Sequence, residues 1–134
     1  MPIKAAWNNE AKREIALTFD IRWTLEEFYD VDLVIKGLMD EVDHPVHVLL
    51  DIRTSKMMPE GFMSAVQNIA RKPHPNMGLM VMIGLNIFIR SFIMVYRKIY
   101  PHKPGEWVIY YAKNYEEAAA IIERNQPEAL RSSA

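Results

Sequence analysis

Three short apolar runs, Val46–Ile52, Leu79–Gly84 and Trp107–Ala112, alternate with helical stretches through the last two-thirds of the chain. Runs this short and this apolar, separated by amphipathic crossovers, are the pattern of strands buried on both faces of a sheet. The alternation predicts an α/β fold. A chain of 134 residues, half of them hydrophobic, can bury one core without disulfides or metals. One domain is therefore expected over residues 1–126, with 127–134 as a frayed tail.

The first strands differ from the later ones. Ile3–Trp7 and Glu14–Ile21 flank the polar turn Asn8-Asn9-Glu10, and Ile15, Leu17, Phe19 and Ile21 alternate with Ala16, Thr18 and Asp20. That period of two predicts a strand covered on one face and paired with the first run as a hairpin. Thr24 followed by Glu27 is a capping box, and Trp23 and Phe28 stand at the spacing of a hydrophobic staple. Leu25, Phe28, Val31, Ile35, Leu38 and Val42 then form one apolar stripe, ended by Asp43-His44-Pro45. Pro59 suits the first turn of a second helix, whose inward side is Phe62, Ala65, Val66 and Ile69. A third helix is expected from about Asn86 to Tyr100, and a fourth opens at a cap made by Asn114 and Glu117. The sum is a mixed sheet of about five strands with four helices.

Sixteen basic and seventeen acidic residues give a net charge of −1, which supplies no bulk attraction to nucleic acid. The absence of cysteine excludes disulfides, thiolate metal sites and cysteine nucleophiles. No run reaches the roughly 18 apolar residues of a membrane span, and Met1-Pro2-Ile3-Lys4 lacks a signal core, so a cytoplasmic domain is expected.

Chemistry-bearing motifs are sparse. His44 and His47 straddle Pro45 and do not share a helix face, while His74 and His102 sit in proline-bounded loops ahead of strands. Sites in open α/β sheets gather beyond the opposite, carboxyl ends, so all four are read as solvated loop histidines. Ser55, Ser64 and Ser91 lack a nucleophile elbow, and neither Gly61 nor Gly84 belongs to a phosphate loop. Asp51 at a strand end could bind magnesium, but with no second carboxylate nearby it reads as a loop cap. No catalytic residue, metal or cofactor is expected.

Two features carry more. The loop Arg53-Thr54-Ser55-Lys56-Met57-Met58 leaves the carboxyl end of a central strand, offering hydrogen-bonding groups beside adaptable methionines. It reads either as a partner or ligand surface or as an ordinary βα loop covering the core edge. In the third helix Phe88, Ile89, Phe92, Ile93, Val95, Tyr96, Ile99 and Tyr100 make a broad inward arc. Ile87 and Met94 fall among Arg90, Ser91, Arg97 and Lys98 on the opposite arc. Apolar residues within a basic face suggest a homodimer contact through Ile87, Arg90, Met94 and Arg97, with a lipid surface second.

From Glu14 to Arg124 the chain resembles the SpoIIAA-like group of STAS domains, the fold of bacterial anti-sigma-factor antagonists. The resemblance is carried by Thr24-Leu25-Glu26-Glu27-Phe28 opening the first helix and Val48-Leu49-Leu50-Asp51 as a central strand. Met80-Val81-Met82-Ile83-Gly84 ahead of a helix and Tyr115-Glu116-Glu117-Ala118 opening the last complete it. It implies a non-enzymatic regulatory module that binds a protein partner through Arg53, Thr54, Ser55, Met57, Met58 and Glu60. Part of the group is also similar to CRAL-TRIO lipid-binding domains, which implies instead an apolar ligand near Met57, Met58, Met63 and Phe88. In the phosphorylated antagonists an Asp-Ser-Ser-Gly segment carries the regulatory serine; here Pro59-Glu60-Gly61 stands in its place. The hydroxyl is gone, and Glu60 supplies one negative charge where phosphate would supply about two.

Overall fold

A computed structural model of the chain describes residues 2–56, 58–70, 74–84, 87–101 and 109–125. The order is β1 (Ile3–Trp7), β2 (Glu14–Phe19), α1 (Leu25–Met39), β3 (Val46–Asp51), α2 (Phe62–Ala70), β4 (Met77–Ile83), α3 (Ile87–Ile99), β5 (Ile109–Ala112) and α4 (Tyr115–Asn125). The fold is α/β, with one five-stranded mixed sheet in the spatial order β1-β2-β3-β4-β5. The tail at 127–134 and the start of the third apolar run at Trp107 lie outside the described residues.

β1 and β2 form the expected antiparallel hairpin, with Ile3 opposite Phe19 and Trp7 opposite Ile15. Strands β2 to β5 are all parallel. Each crossover steps to the next strand in the same direction, and right-handed crossovers then place every connecting helix on one face. The packing agrees. Ile15, Leu17, Phe19, Val48, Leu50, Met80 and Met82 form one core with residues of α1, α2 and α3. The alternate residues Leu49, Val81, Ile83 and Ala112 pack on the other face against Ala118, Ile121 and Ile122 of α4. β3 is therefore buried along its whole length, as its unbroken apolar run requires.

α1 begins where its cap demands: the Glu27 N–H donates to Thr24 Oγ1 at 3.1 Å, and Glu27 Oε1 accepts from the Thr24 N–H at 3.0 Å. Trp23 and Phe28 meet as a staple, their ring centroids 6.1 Å apart. Its buried stripe is Phe28, Val31, Ile35 and Met39, while Leu25 and Leu38 lie half-buried at the margins. Each fully buried apolar side chain of this size contributes about 1.5–3 kcal/mol.

Several expectations are corrected. Ile21 lies beyond the end of β2 and is exposed, because pairing with β3 stops at Thr18 and Asp51. α2 starts at Phe62, not at Pro59, because Gly61 has φ +85°, a left-handed conformation that a right-handed helix cannot include. On α3, Ile93 is buried and Tyr96 half-buried, but Val95, Ile99 and Tyr100 are exposed. The sheet covers a narrower arc of that helix than its apolar residues span.

Two histidines are structural rather than solvated. The β3–β4 register breaks between Val46 and Val48, which pair with Met77 and Met80, so two β4 residues oppose His47. Such a bulge leaves a backbone donor without its ladder acceptor. His47, buried on β3, supplies one: its Nδ1 accepts from the Leu79 N–H at 2.9 Å. The ring fits only because Gly78 lacks a Cβ, which would stand 2.5 Å from Nδ1. Burial holds the His47 pKa below its ordinary value, toward the neutral form that this bond needs. His74 ties its loop to the end of α1, Nε2 lying 2.6 Å from Asp40 Oδ1 while Nδ1 accepts from the Asn76 N–H at 3.0 Å. His102 lies outside the described residues.

Candidate functional site

The carboxyl ends of β3, β4 and β5 converge on one constellation. Asp51, the last residue of β3, alternates with Leu49 and His47 and so points to the α4 face. Asp51 is 6% exposed, and its carboxylate accepts four hydrogen bonds. Oδ1 takes the Arg53 N–H at 3.2 Å and Nε at 3.0 Å; Oδ2 takes Arg53 Nη2 at 2.9 Å and the Tyr115 hydroxyl at 2.9 Å. Tyr115 opens α4, where the Glu117 N–H donates to Asn114 Oδ1 at 2.8 Å in the expected cap. The Arg53 guanidinium stacks over the Tyr115 ring at 5.1 Å from its centroid.

Gly84, just after β4, makes room for this arrangement. Its φ is +87°, and a Cβ there would come within 1.9 Å of Arg53 Cγ. Its N–H donates to the Ala112 carbonyl at 2.9 Å, continuing the sheet as the chain turns away.

The electrostatics follow from the geometry. Burial opposes ionisation of Asp51, but the bonds from Arg53 and Tyr115 outweigh it and hold the carboxyl below its usual range. Burial and the adjoining carboxylate push the Tyr115 hydroxyl up to about 12. Asp51 is thus an ionised acceptor whose lone pairs are occupied. That makes it the cap of its own loop, and a poor general base.

The rest of the loop is pinned from below. Ser55 is 3% exposed, and its Oγ accepts from Trp23 Nε1 at 2.9 Å. The Lys56 N–H reaches the Ile21 carbonyl at 3.2 Å, joining the β3–α2 loop to the β2–α1 loop. Beneath them Trp23 packs against Phe19 and Phe62, with centroids 4.8 and 5.1 Å away. Ser55 therefore contributes to the loop's shape and not to its surface, which corrects its place among surface-binding residues.

Arg53, Thr54, Lys56 and Glu60 are exposed on the segment between β3 and α2, with the Arg53 side chain at 51%. Met58 is half-buried against the core, and Met63 lies within it. Met57 and the side chain of Phe88 fall outside the described residues. Ile87, Arg90 and Met94 are exposed on α3, whereas Arg97 is half-buried and lies over the Tyr96 ring at 5.5 Å. Among the described residues no three of His, Asp and Glu are grouped to hold a metal ion, and no helix is long and apolar enough to cross a membrane.

Sequence reasoning missed Tyr115 and Trp23 as the groups that hold this loop. Their partners lie 64 and 32 residues away in the chain. The available signal was positional: Tyr115 is the first helical residue after a parallel strand, at the end of the sheet where such sites form.

No protein-family model matches this sequence, and no curated protein is significantly similar to it.

Proposed function

We propose that this chain is a non-enzymatic regulatory module of STAS type, which binds a protein partner through Arg53, Thr54, Lys56 and Glu60 without a phosphoserine switch. The observation carrying this reading is the fourfold occupation of the Asp51 carboxylate. The buried polar groups at the strand ends are spent on loop shape, and the exposed ones give the segment between β3 and α2 a mixed charge. A preordered loop forfeits little conformational entropy on association, which favours recognition by a macromolecule. The Arg53 fork, stacked and half-exposed, is oriented to receive a partner's carboxylate once its inner edge is taken by Asp51. Glu60, exposed on the turn ahead of α2, adds a permanent negative charge to the segment that carries the two cations.

A photo-crosslinking residue at Thr54, in cells that make this protein, tests the reading. It is expected to trap one protein species, and the same residue at Glu123, near the far end of α4, is expected to trap none. The double substitution Lys56→Glu with Glu60→Lys should abolish the Thr54 crosslink while leaving the melting curve unchanged. Equal trapping from both positions, or a crosslink indifferent to the charge reversal, refutes the assignment.

A further inference from the structure

We propose that two copies of this chain associate through their helical layers, α1 of each lying on α3 of the other, about a two-fold axis parallel to the helices. The inference is independent of the Arg53–Glu60 surface, which lies at the end of the sheet. It rests on two helix faces that are apolar at the centre and opposite in charge. On the outward side of α1, Tyr29, Leu33 and Val34 are exposed, Leu33 at 68%. Around them stand the exposed acids Glu26, Asp30, Asp40 and Glu41. On the outward side of α3, Ile87, Met94, Val95 and Ile99 are exposed, Ile87 at 73%, flanked by Arg90 and Lys98. No acidic residue occurs between Ile87 and Ile99. Among the described residues Glu26, Asp30, Arg90 and Lys98 form no ion pair.

The topology says how these faces can meet. α1, α2 and α3 share one layer because each crossover steps to the adjacent strand. All three run antiparallel to the parallel strands, and α1 and α3 both begin at the carboxyl ends, at about the same height. α2 lies between them, and among its described side chains only the short polar Ser64 and Asn68 are exposed. A two-fold axis across the helices would set α3 on α3, basic against basic, and α1 on α1, acidic against acidic. An axis along them sets each α1 on the partner's α3 at matching height, burying each apolar centre against the other. Glu26 and Asp30 then face Arg90, and Leu33 and Val34 face Met94 and Val95; Asp40 and Glu41, already bonded within the chain to His74 and Lys12, lie toward Lys98. Charge complementarity selects the second arrangement. At 1.5 Å per residue the three helices are about 22, 14 and 20 Å long, and spaced about 10 Å apart they present roughly 550 Å², below the ~800 Å² per partner of a standard-size interface.

Sedimentation of the intact chain and disulfide trapping test this together. The parent is expected to sediment as a dimer. Because the chain has no cysteine, Leu33→Cys mixed with Met94→Cys should give a disulfide-linked dimer under mild oxidation, and neither variant alone should do so. The pair Arg90→Glu with Lys98→Glu should weaken the dimer at least about tenfold, as should Glu26→Lys with Asp30→Lys. Mixing those two charge-reversed proteins should restore it, since both contacts are again complementary. A monomeric parent overturns the proposal, whether α3 is then covered by another protein or by the chain's own end. So does self-linking of Met94→Cys at the rate of the mixture, which means α3 meets α3. Dimers indifferent to the α1 charge reversal overturn it as well. If a charge-reversed chain fails to fold, the cysteine pair decides alone.

Discussion

Replacing Asp51 with asparagine keeps the shape of the side chain and removes its charge, which isolates what the carboxylate does at the end of β3. The four bonds it accepts are unequal. The Arg53 side chain is half in solvent, so its ion pair contributes at most about 1 kcal/mol. The bonds from the Arg53 backbone and the Tyr115 hydroxyl contribute roughly 1 kcal/mol each. Asparagine retains one acceptor oxygen for Arg53 and turns an amide group toward Tyr115, so the expected loss is about 1–2 kcal/mol; Asp51→Ala should lose about 3 kcal/mol. The folded-state pKa of Asp51 lies below the unfolded value of 3.8. Its contribution is therefore complete above that value and disappears as pH falls through the folded-state pKa, so parent and variant should converge in acid. Urea unfolding at neutral and acid pH measures both effects. A second readout is the Tyr115 titration, followed by NMR of tyrosine labelled at Cζ. From about 12 in the parent it should move down toward, but not reach, the ordinary 10.0, since burial remains when the charge is gone. An unmoved Tyr115 titration together with unchanged stability would refute the four-bond description of Asp51.

Gly78→Ala should destabilise the fold by about 2–5 kcal/mol, combining overpacking against His47 and the Val46 carbonyl with a lost bond to the Leu79 N–H; chemical denaturation at pH 8 is the check. His47 carries a folded-state pKa below 6.5, so the unfolded chain binds the extra proton and stability should fall as pH drops below that value. His47→Asn should flatten this part of the stability–pH curve, and an unaltered slope would assign it to another group. Thr24→Ala should cost about 1 kcal/mol by removing the α1 cap, and a thermal melt identical to the parent's would place the start of the helix elsewhere.

The strands were legible because burial on both faces leaves a mark in one short window: β3 reads as an apolar run and β2 as an alternation. The cap of α1 was equally local, with both partners inside four residues. What escaped the sequence depends on pairs distant along the chain. His47 looks like a loop residue until the bulge sets Gly78 beside it, and a register break cannot be seen in either strand alone. Asp51 was legible as a loop cap, but the hydroxyl of Tyr115 that completes it arrives from the start of α4, 64 residues further along the chain. On α3 the periodicity identifies an apolar arc without saying how much of it the sheet will cover. That depends on the neighbouring elements, and Val95, Ile99 and Tyr100 were left outside. Ser55 was misplaced for a related reason: its accepting role for Trp23 turns a hydroxyl that looks available in a polar loop into a buried one.

Native mass spectrometry of the protein isolated from its own cells tests the central claim most directly, because it weighs bound protein and bound small molecule in one spectrum. The expected spectrum shows a complex of this chain with a second protein, lost on the exchange of charge at Lys56 and Glu60, and a dissociated chain of unmodified mass. A chain that instead leaves the cell without a protein partner and carries a tightly held, lipid-sized mass would contradict it. That result would turn the reading of Met58 and Met63 from core packing into the wall of a ligand site.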